Sequence, residues 1–232
     1  MLAVAGLLDG CRHDVVVPTP VVDYYPLEVG TYRAYAVSDT LWNKGVATPT
    51  NYQLRESVTE KFADAAGQTA YRVLRARRTS STDAWVDDSV LVVQPQQQAV
   101  LMTRNNVRTI ELIYPLRAGK TWKKYAFATA QPDSVRAFDA TVEQPFTTPG
   151  PAPKSYAATV IARDQQPIEA NDGLLRRGGA LQIFAQGMGP VLRRRYAYQT
   201  FYTTSNNASV ITPTVIQVGH SRLEVLIDSG KL

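Results

Sequence analysis

Turn-forming residues interrupt this chain at short intervals, and between the interruptions apolar and polar residues alternate. Asp64-Ala65-Ala66-Gly67, the stretch 94–98 with Pro95, Asn105-Asn106, and Gly187 with Gly189 and Pro190 all carry the residue types that reverse a chain. A period of two puts successive side chains on opposite faces of an extended strand, which a helix of 3.6 residues per turn cannot do. In residues 52–62, Tyr52, Leu54, Val58 and Phe62 fall on one side, with Gln53, Arg55, Ser57, Thr59 and Lys61 on the other. A helix would also align Leu54, Val58 and Phe62, but the turn at 64–67 and the extended character of 70–78 favour a strand. Similar runs occupy 85–93, 99–103, 107–114, 156–163, 210–218 and 223–227, the last two joined at Gly219-His220-Ser221. The chain is therefore expected to be all-β. It should form a mainly antiparallel meander of about ten to twelve strands, curved into a sheet, half-barrel or barrel, with at most one or two short helices. Residues 134–143 are the best place for such a helix. Residues 144–153 hold four prolines and a glycine, which excludes a helix or a central strand there and implies a loop or crossover.

One phrase occurs twice. Tyr25-Pro26-Leu27-Glu28-Val29-Gly30 returns as Tyr114-Pro115-Leu116-Arg117-Ala118-Gly119, and each copy leads into an aromatic-rich extended stretch, 32–37 and 122–127. Proline fixes φ and withholds an N–H, and glycine admits a backbone geometry that other residues resist, so the phrase suits a corner that feeds a strand. If the two corners are equivalent, Leu27 and Leu116 should both be buried, with Glu28 and Arg117 exposed.

The beginning of the chain has a different character. Residues 1–10 read as the remnant of a secretion signal, with Leu2 to Leu8 apolar or small and too few to span a bilayer. Cys11 comes next, the single cysteine, so neither an internal disulfide nor a cysteine-rich metal site can form. Residues 11–23, with Pro18 and Pro20, have the composition of an extended tether. Residues 24–232 are then expected to form a single β domain. With 44% hydrophobic and 19% charged residues over 232 positions, one core suffices.

Few constellations carry chemistry. His13 lies in the tether and His220 in an expected turn, so no histidine pair stands at metal-ligand spacing, and neither a metal nor a cofactor is expected. Asp87 and Asp88 point to opposite faces of a strand and do not converge as an acid/base pair. No catalytic residue emerges. Glu56 and Glu60 share the side of Leu54 and Val58, where an inward carboxylate needs a partner, and Arg75 or Arg77 is placed to supply it from the next strand. Along 192–202, Arg194, Tyr196, Tyr198 and Tyr202 share one face, against Arg193, Arg195, Ala197, Gln199 and Phe201 on the other. A tyrosine-lined face suits a pocket wall or a sheet with hydroxyls near water. Tyr196, Tyr198, Tyr202, Arg194, Glu56 and Glu60 are thus the candidates to face a ligand or partner. The net charge of +5 is spread along the chain and interleaved with acids, which does not point to nucleic acid.

Leu8-Asp9-Gly10-Cys11 resembles the lipobox of bacterial lipoproteins, in which a cysteine is cleaved and acylated, although Asp9 stands where that pattern has a small or apolar residue. Together with the two Tyr-Pro-Leu corners and Phe184-Ala185-Gln186-Gly187-Met188-Gly189-Pro190-Val191, it makes the chain resemble uncharacterised secreted lipoproteins of the Bacteroidota type. More distantly the chain is similar to the curved half-barrel proteins of the lipoprotein-carrier kind. The resemblance implies a non-enzymatic lipoprotein of the outer membrane or periplasm, anchored through Cys11. Its curved sheet would bind an apolar or amphiphilic ligand or an envelope protein. The alternatives are a structural or assembly subunit of an envelope complex and, more remotely, an enzyme.

Overall fold

The computed structural model describes residues 24–128, 135–165, 175–205, 208–212 and 214–232. Those residues form strands and turns with no helix. The strands are β1 (Thr31–Asn43), β2 (Val46–Ala63), β3 (Thr69–Arg78), β4 (Val86–Gln96), β5 (Ala99–Arg104), β6 (Val107–Ile113), β7 (Thr121–Lys123) and β8 (Val135–Phe138). They continue as β9 (Gln144–Thr147), β10 (Ser155–Gln165), β11 (Arg176–Ala185), β12 (Gly189–Gln199), β13 (Tyr202–Ser205), β14 (Ala208–Ile211) and β15 (Val218–Lys231). Twelve of them lie along one antiparallel path, β6-β5-β4-β3-β2-β1-β15-β12-β11-β10-β8-β7, with β9 on β10 and a separate β13-β14 pair. The two ends of the path meet: the Ile110 N–H donates to the Lys124 carbonyl at 2.8 Å, and the Trp122 indole donates to the Ile110 carbonyl at 3.0 Å. The sheet is a barrel closed at all but this short seam.

Local chemistry explains the hairpins. Lys44 and Gly45, at φ +51° and +81°, and Asn105 and Asn106, at φ +49° and +61°, both make two-residue turns with a left-handed backbone, the geometry that matches strand twist. Asp64 holds the β2–β3 turn by accepting the Ala66 and Gln68 amides at 2.9 and 2.8 Å.

The repeated phrase makes the same corner twice. Thr31 N–H donates to the Glu28 carbonyl and Lys120 N–H to the Arg117 carbonyl, each at 3.1 Å, with Gly30 and Gly119 at φ +87° and +69° in the third turn position. Tyr25 and Tyr114 are buried in one cluster, and Glu28 and Arg117 are exposed. Leu27 is buried as expected, but Leu116 is only half-buried, because its corner lies between the two end strands of the path. The second copy also feeds a shorter strand than expected, β7, which gives way to turns.

Three other expectations need correction, the first being the strand over 210–218: β14 ends at Ile211, β15 begins at Val218, and the described residues between them lie in no strand. Ser134 lies outside the described residues, and the residues after it form no helix but β8, which pairs with β10 on one side and β7 on the other. Gly219-His220-Ser221 does not turn; it lies inside β15, paired with both β1 and β12. Glycine is needed there because a Cβ at Gly219 would come within 2.5 Å of the Ala197 carbonyl oxygen. Gly178-Gly179 likewise lies within β11, where the Tyr196 ring crosses Gly179. Pro145 sits in the short β9 strand off the main path, the position proline tolerates in a sheet. One apolar cluster gathers Tyr24, Tyr25, Leu27, Val58, Leu112, Trp122, Phe138 and Phe184, and a second gathers Tyr35, Val37, Leu54, Ile183, Leu192 and Leu226.

Candidate functional site

The register of the sheet brings charged residues into rows. Asp39, Arg222, Arg195 and Ala180 are successive cross-strand partners on β1, β15, β12 and β11, and the row continues through Asp164 on β10 to Arg136 on β8. Two residues further along, on the same face, lie Val37, Glu224, Arg193, Gln182, Ala162 and Phe138. This face is the concave one, because its side chains reach one another across intervening strands. Arg193 on β12 grips Glu56 on β2 through two parallel bonds, Nη1 to Oε1 and Nη2 to Oε2, each 2.9 Å, with β1 and β15 between them.

Two ion clusters result. In the first, Arg193 Nη1 also donates to Glu224 Oε2 at 3.0 Å, and Arg75 lies 3.4 Å from Glu56 and 3.5 Å from Glu224. Arg222 Nε is 2.8 Å from Glu224 Oε1, but its N–H is not directed at that oxygen and finds no hydrogen-bond acceptor. In the second, Arg136 on β8 donates to Asp164 Oδ1 at 2.6 Å, to Glu111 Oε2 at 3.2 Å, to the Glu111 carbonyl at 3.1 Å and to Gln182 Oε1 at 3.1 Å. Lys124 adds a contact to Asp164 at 3.1 Å, and Thr109 donates to Glu111 at 2.7 Å. The second cluster spans the seam, since Glu111 belongs to β6 and Arg136 to β8.

Burial pushes the Glu56 carboxyl up, but Arg193 and Arg75 outweigh it and hold the group at about 2. Burial likewise pushes Glu111 up, and Arg136 with Lys124 brings it to about 2. Burial raises and Arg193, Arg75 and Arg222 lower the Glu224 carboxyl, which ends below its ordinary value. All three are carboxylates at neutral pH with no proton to give, so none is poised for acid chemistry there.

Between the clusters lies a cavity of about 470 Å3, lined by Glu56, Glu111 and Glu224 and by a larger set of cations, Arg75, Arg104, Lys124, Arg136, Arg193, Arg195 and Arg222. Leu91, Met102, Val107, Leu181 and Tyr125 supply most of its apolar wall. The size falls within the roughly 300–1,000 Å3 of small-molecule sites. Among the described residues no group of three or more His, Cys, Asp or Glu side chains comes together to hold a metal ion.

The expected site residues divide. Glu56 is inside and takes Arg75 as a partner. Glu60 is not: a bulge between Val58 and Glu60 shifts the strand by one residue and turns Glu60 outward, where it pairs with exposed Arg72. Tyr196 and Tyr198 lie on the convex face, opposite in parity to Arg193 and Arg195. Their rings are 5.1 Å apart, Trp42 is edge-on to Tyr198 at 5.1 Å, and the Arg194 guanidinium lies 5.6 Å from the Tyr196 centroid. The tyrosine face is thus an outer ladder rather than a wall of the cavity, and Arg194 touches the cavity lining without sending its charge inside. Tyr202 starts β13, and its side chain, like Cys11, lies outside what the structure describes. Arg193, Arg195, Arg222, Glu224, Glu111 and Arg136 were missed. The run Arg193-Arg194-Arg195 was the available signal, since alternation sends its first and third members to one face.

Fold and cavity together define a nearly closed antiparallel barrel with a polar, cation-rich interior. No family model matches the chain, and no curated protein does. A solved structure from Bacteroides fragilis, a protein assigned as exported and having a YmcC-like fold, aligns with 90% of this chain and 99% of its own at 12% identity and a TM-score of 0.43. A likeness that loose carries no reading of this chain.

Proposed function

We propose that this protein is a non-enzymatic binding lipoprotein of the bacterial envelope, in the outer membrane or periplasm, held to the membrane through acylated Cys11. Its ligand site is the barrel cavity. The observation that carries this reading is a cavity of ligand size between two buried ion clusters, with more cations than carboxylates around it. The ligand expected from sequence was apolar or amphiphilic. A wholly apolar ligand would strip water from guanidinium groups without replacing their hydrogen bonds, so the reading narrows to an amphiphile or other small molecule with an acidic group. Carboxylates fixed as anions and a barrel otherwise filled by aromatic and aliphatic side chains favour binding over catalysis.

Native mass spectrometry of protein purified from its own membrane tests anchor and ligand together. The expected spectrum shows acyl mass at Cys11 and a retained, releasable small molecule. A Cys11→Ala protein that still fractionates with membranes would overturn the anchor, because the acyl chains are what hold such a protein firmly. A second reading, an assembly subunit, draws on the β1–β2 hairpin, where Leu41 and Val46 are 60% and 65% exposed near its tip. Co-purification of one stoichiometric envelope protein, lost in Leu41→Ser, would favour it.

A further inference from the structure

The charge of the cavity is not balanced from within. Glu224 already meets Arg75, Arg193 and Arg222, and Glu56 meets Arg75 and Arg193. Arg195 and Arg222 are direct cross-strand partners on the concave face, an arrangement in which like charges repel. Among the described residues neither the Arg195 nor the Arg104 side chain forms a hydrogen bond or ion pair, and Arg222 has only a distant second carboxylate, Asp39 at 3.9 Å. Arg104, half-buried at the end of β5, has its pKa lowered by burial and then by Arg75, Arg195 and Arg222, which outweigh the opposing pull of Glu224, a sign that cations outnumber the carboxylates gathered with them. Arg222 also keeps a buried Nε–H with no acceptor.

Resting on the reading of the cavity as a ligand site, we propose that Arg104, Arg195 and Arg222 form a seat for a phosphate group, carried by a lipid headgroup or by a soluble phosphate ester. A dianion suits three facing guanidiniums better than a single carboxylate, because its oxygens can accept from several planar forks at once. The apolar part of the cavity wall, Leu91, Met102 and Val107, leaves room for a short organic portion beside the phosphate. Glu56 and Glu224 form the floor. They hold Arg75, Arg193 and Arg222 in place and reject a second anion deeper in the barrel.

The test uses the full chain carrying Cys11→Ala, so that no acyl anchor contributes. Inorganic phosphate and glycerol 3-phosphate are titrated by calorimetry against chloride at equal ionic strength. Flotation is measured with phosphatidylcholine vesicles, with and without phosphatidic acid. Saturable phosphate binding is expected, weakened roughly ten- to a hundredfold in Arg104→Gln and in Arg195→Gln, as for loss of a charge-assisted hydrogen bond. Among the described residues neither side chain makes a hydrogen bond or ion pair, and each has a like charge nearby, so neither variant should melt below the parent. Arg72→Gln, on the outer face, should bind as the parent does. Binding to soluble esters alone identifies a soluble ligand; flotation only with phosphatidic acid, lost in the same two variants, identifies a headgroup. Phosphate behaving like chloride, or unchanged binding in Arg104→Gln and Arg195→Gln, overturns the proposal. Retention of a neutral molecule in the native spectrum with no phosphate binding would sink this proposal and leave the binding reading standing. A bare protein in every arm would sink both.

Discussion

Replacing Arg136 by methionine should unlatch the barrel. The side chain is 2% exposed and donates to Glu111, Asp164 and Gln182, which belong to three different strands. Methionine fills a similar length but offers no donor. Asp164 keeps Lys124, and Glu111 keeps Thr109 and the weaker pull of Lys124, yet Glu111 loses the cation that most offsets its burial. Leaving a buried carboxylate without its partner costs about 3–5 kcal/mol, whereas the intact pair contributes far less than its Coulomb attraction suggests. The loss should depend on pH with a definite sign. In the variant, burial raises the Glu111 carboxyl above its unfolded value, so the penalty is full at pH 7 and fades as acid protonates the group. Urea melts at pH 7 and pH 4.5 should therefore show a large gap from the parent that narrows in acid. Arg136→Lys should fall between the two, because one ammonium keeps the charge but cannot span four acceptors. A loss under about 1 kcal/mol at pH 7, or a gap of equal size at both pH values, would show that the seam does not depend on this charge.

Acid should also unfold the parent through its interior. Glu56 and Glu111 sit at about 2, below an unfolded value near 4.5, so their stabilisation is present above pH 4.5 and lost as pH falls toward 2, by at most about 3 kcal/mol each; urea midpoints that stay flat from pH 5 to 2.5 would contradict the assignment. Leu27→Ala should cost about 2–3 kcal/mol and Leu116→Ala nearer 1, in keeping with their unequal burial, and equal losses in denaturant melts would contradict it. Gly30→Ala and Gly119→Ala should each cost about 1–2 kcal/mol, since both turns need a left-handed residue and neither site is crowded; a silent substitution at either would separate the two corners.

Local signals were legible and distant ones were not. Asn105-Asn106 and Asp64 act within a few residues of themselves, so their turns could be read directly, and alternation correctly separated Arg193 and Arg195 from Tyr196 and Tyr198. Which of those two faces is concave depends on how strands far apart in sequence curve together, and both faces carry arginine and apolar residues. The tyrosine face therefore suited a pocket wall as well as a face with hydroxyls near water, whereas the cavity lies behind the other face. Gly219 resembles a turn residue because glycine is suited both to reversing a chain and to letting another segment pass close; only the Ala197 carbonyl decides between them. Glu60 was misplaced by a single inserted residue, which reverses every parity beyond it. Glu56 and Arg75 were found because their strands are adjacent, while Arg193 and Glu224 join the same cluster from far along the chain.

The position of β15 has a consequence for how the chain acquires this shape. This fourteen-residue strand lies mid-sheet between β1 and β12, paired along its length with the first strand and over eight residues with the twelfth. While the chain is being synthesised or threaded through a membrane amino end first, β1 and β12 stay bare, each an edge open to unwanted pairing with other chains. Contacts this distant in sequence are slow to form, because the loop between them must close before any pairing energy is returned. A nascent chain cut before Val218 is accordingly not a smaller version of the barrel but two blocks of sheet that meet only at the short seam, each with a bare edge. Completion of the barrel is thus gated by its carboxyl-terminal strand, whose arrival covers both edges at once.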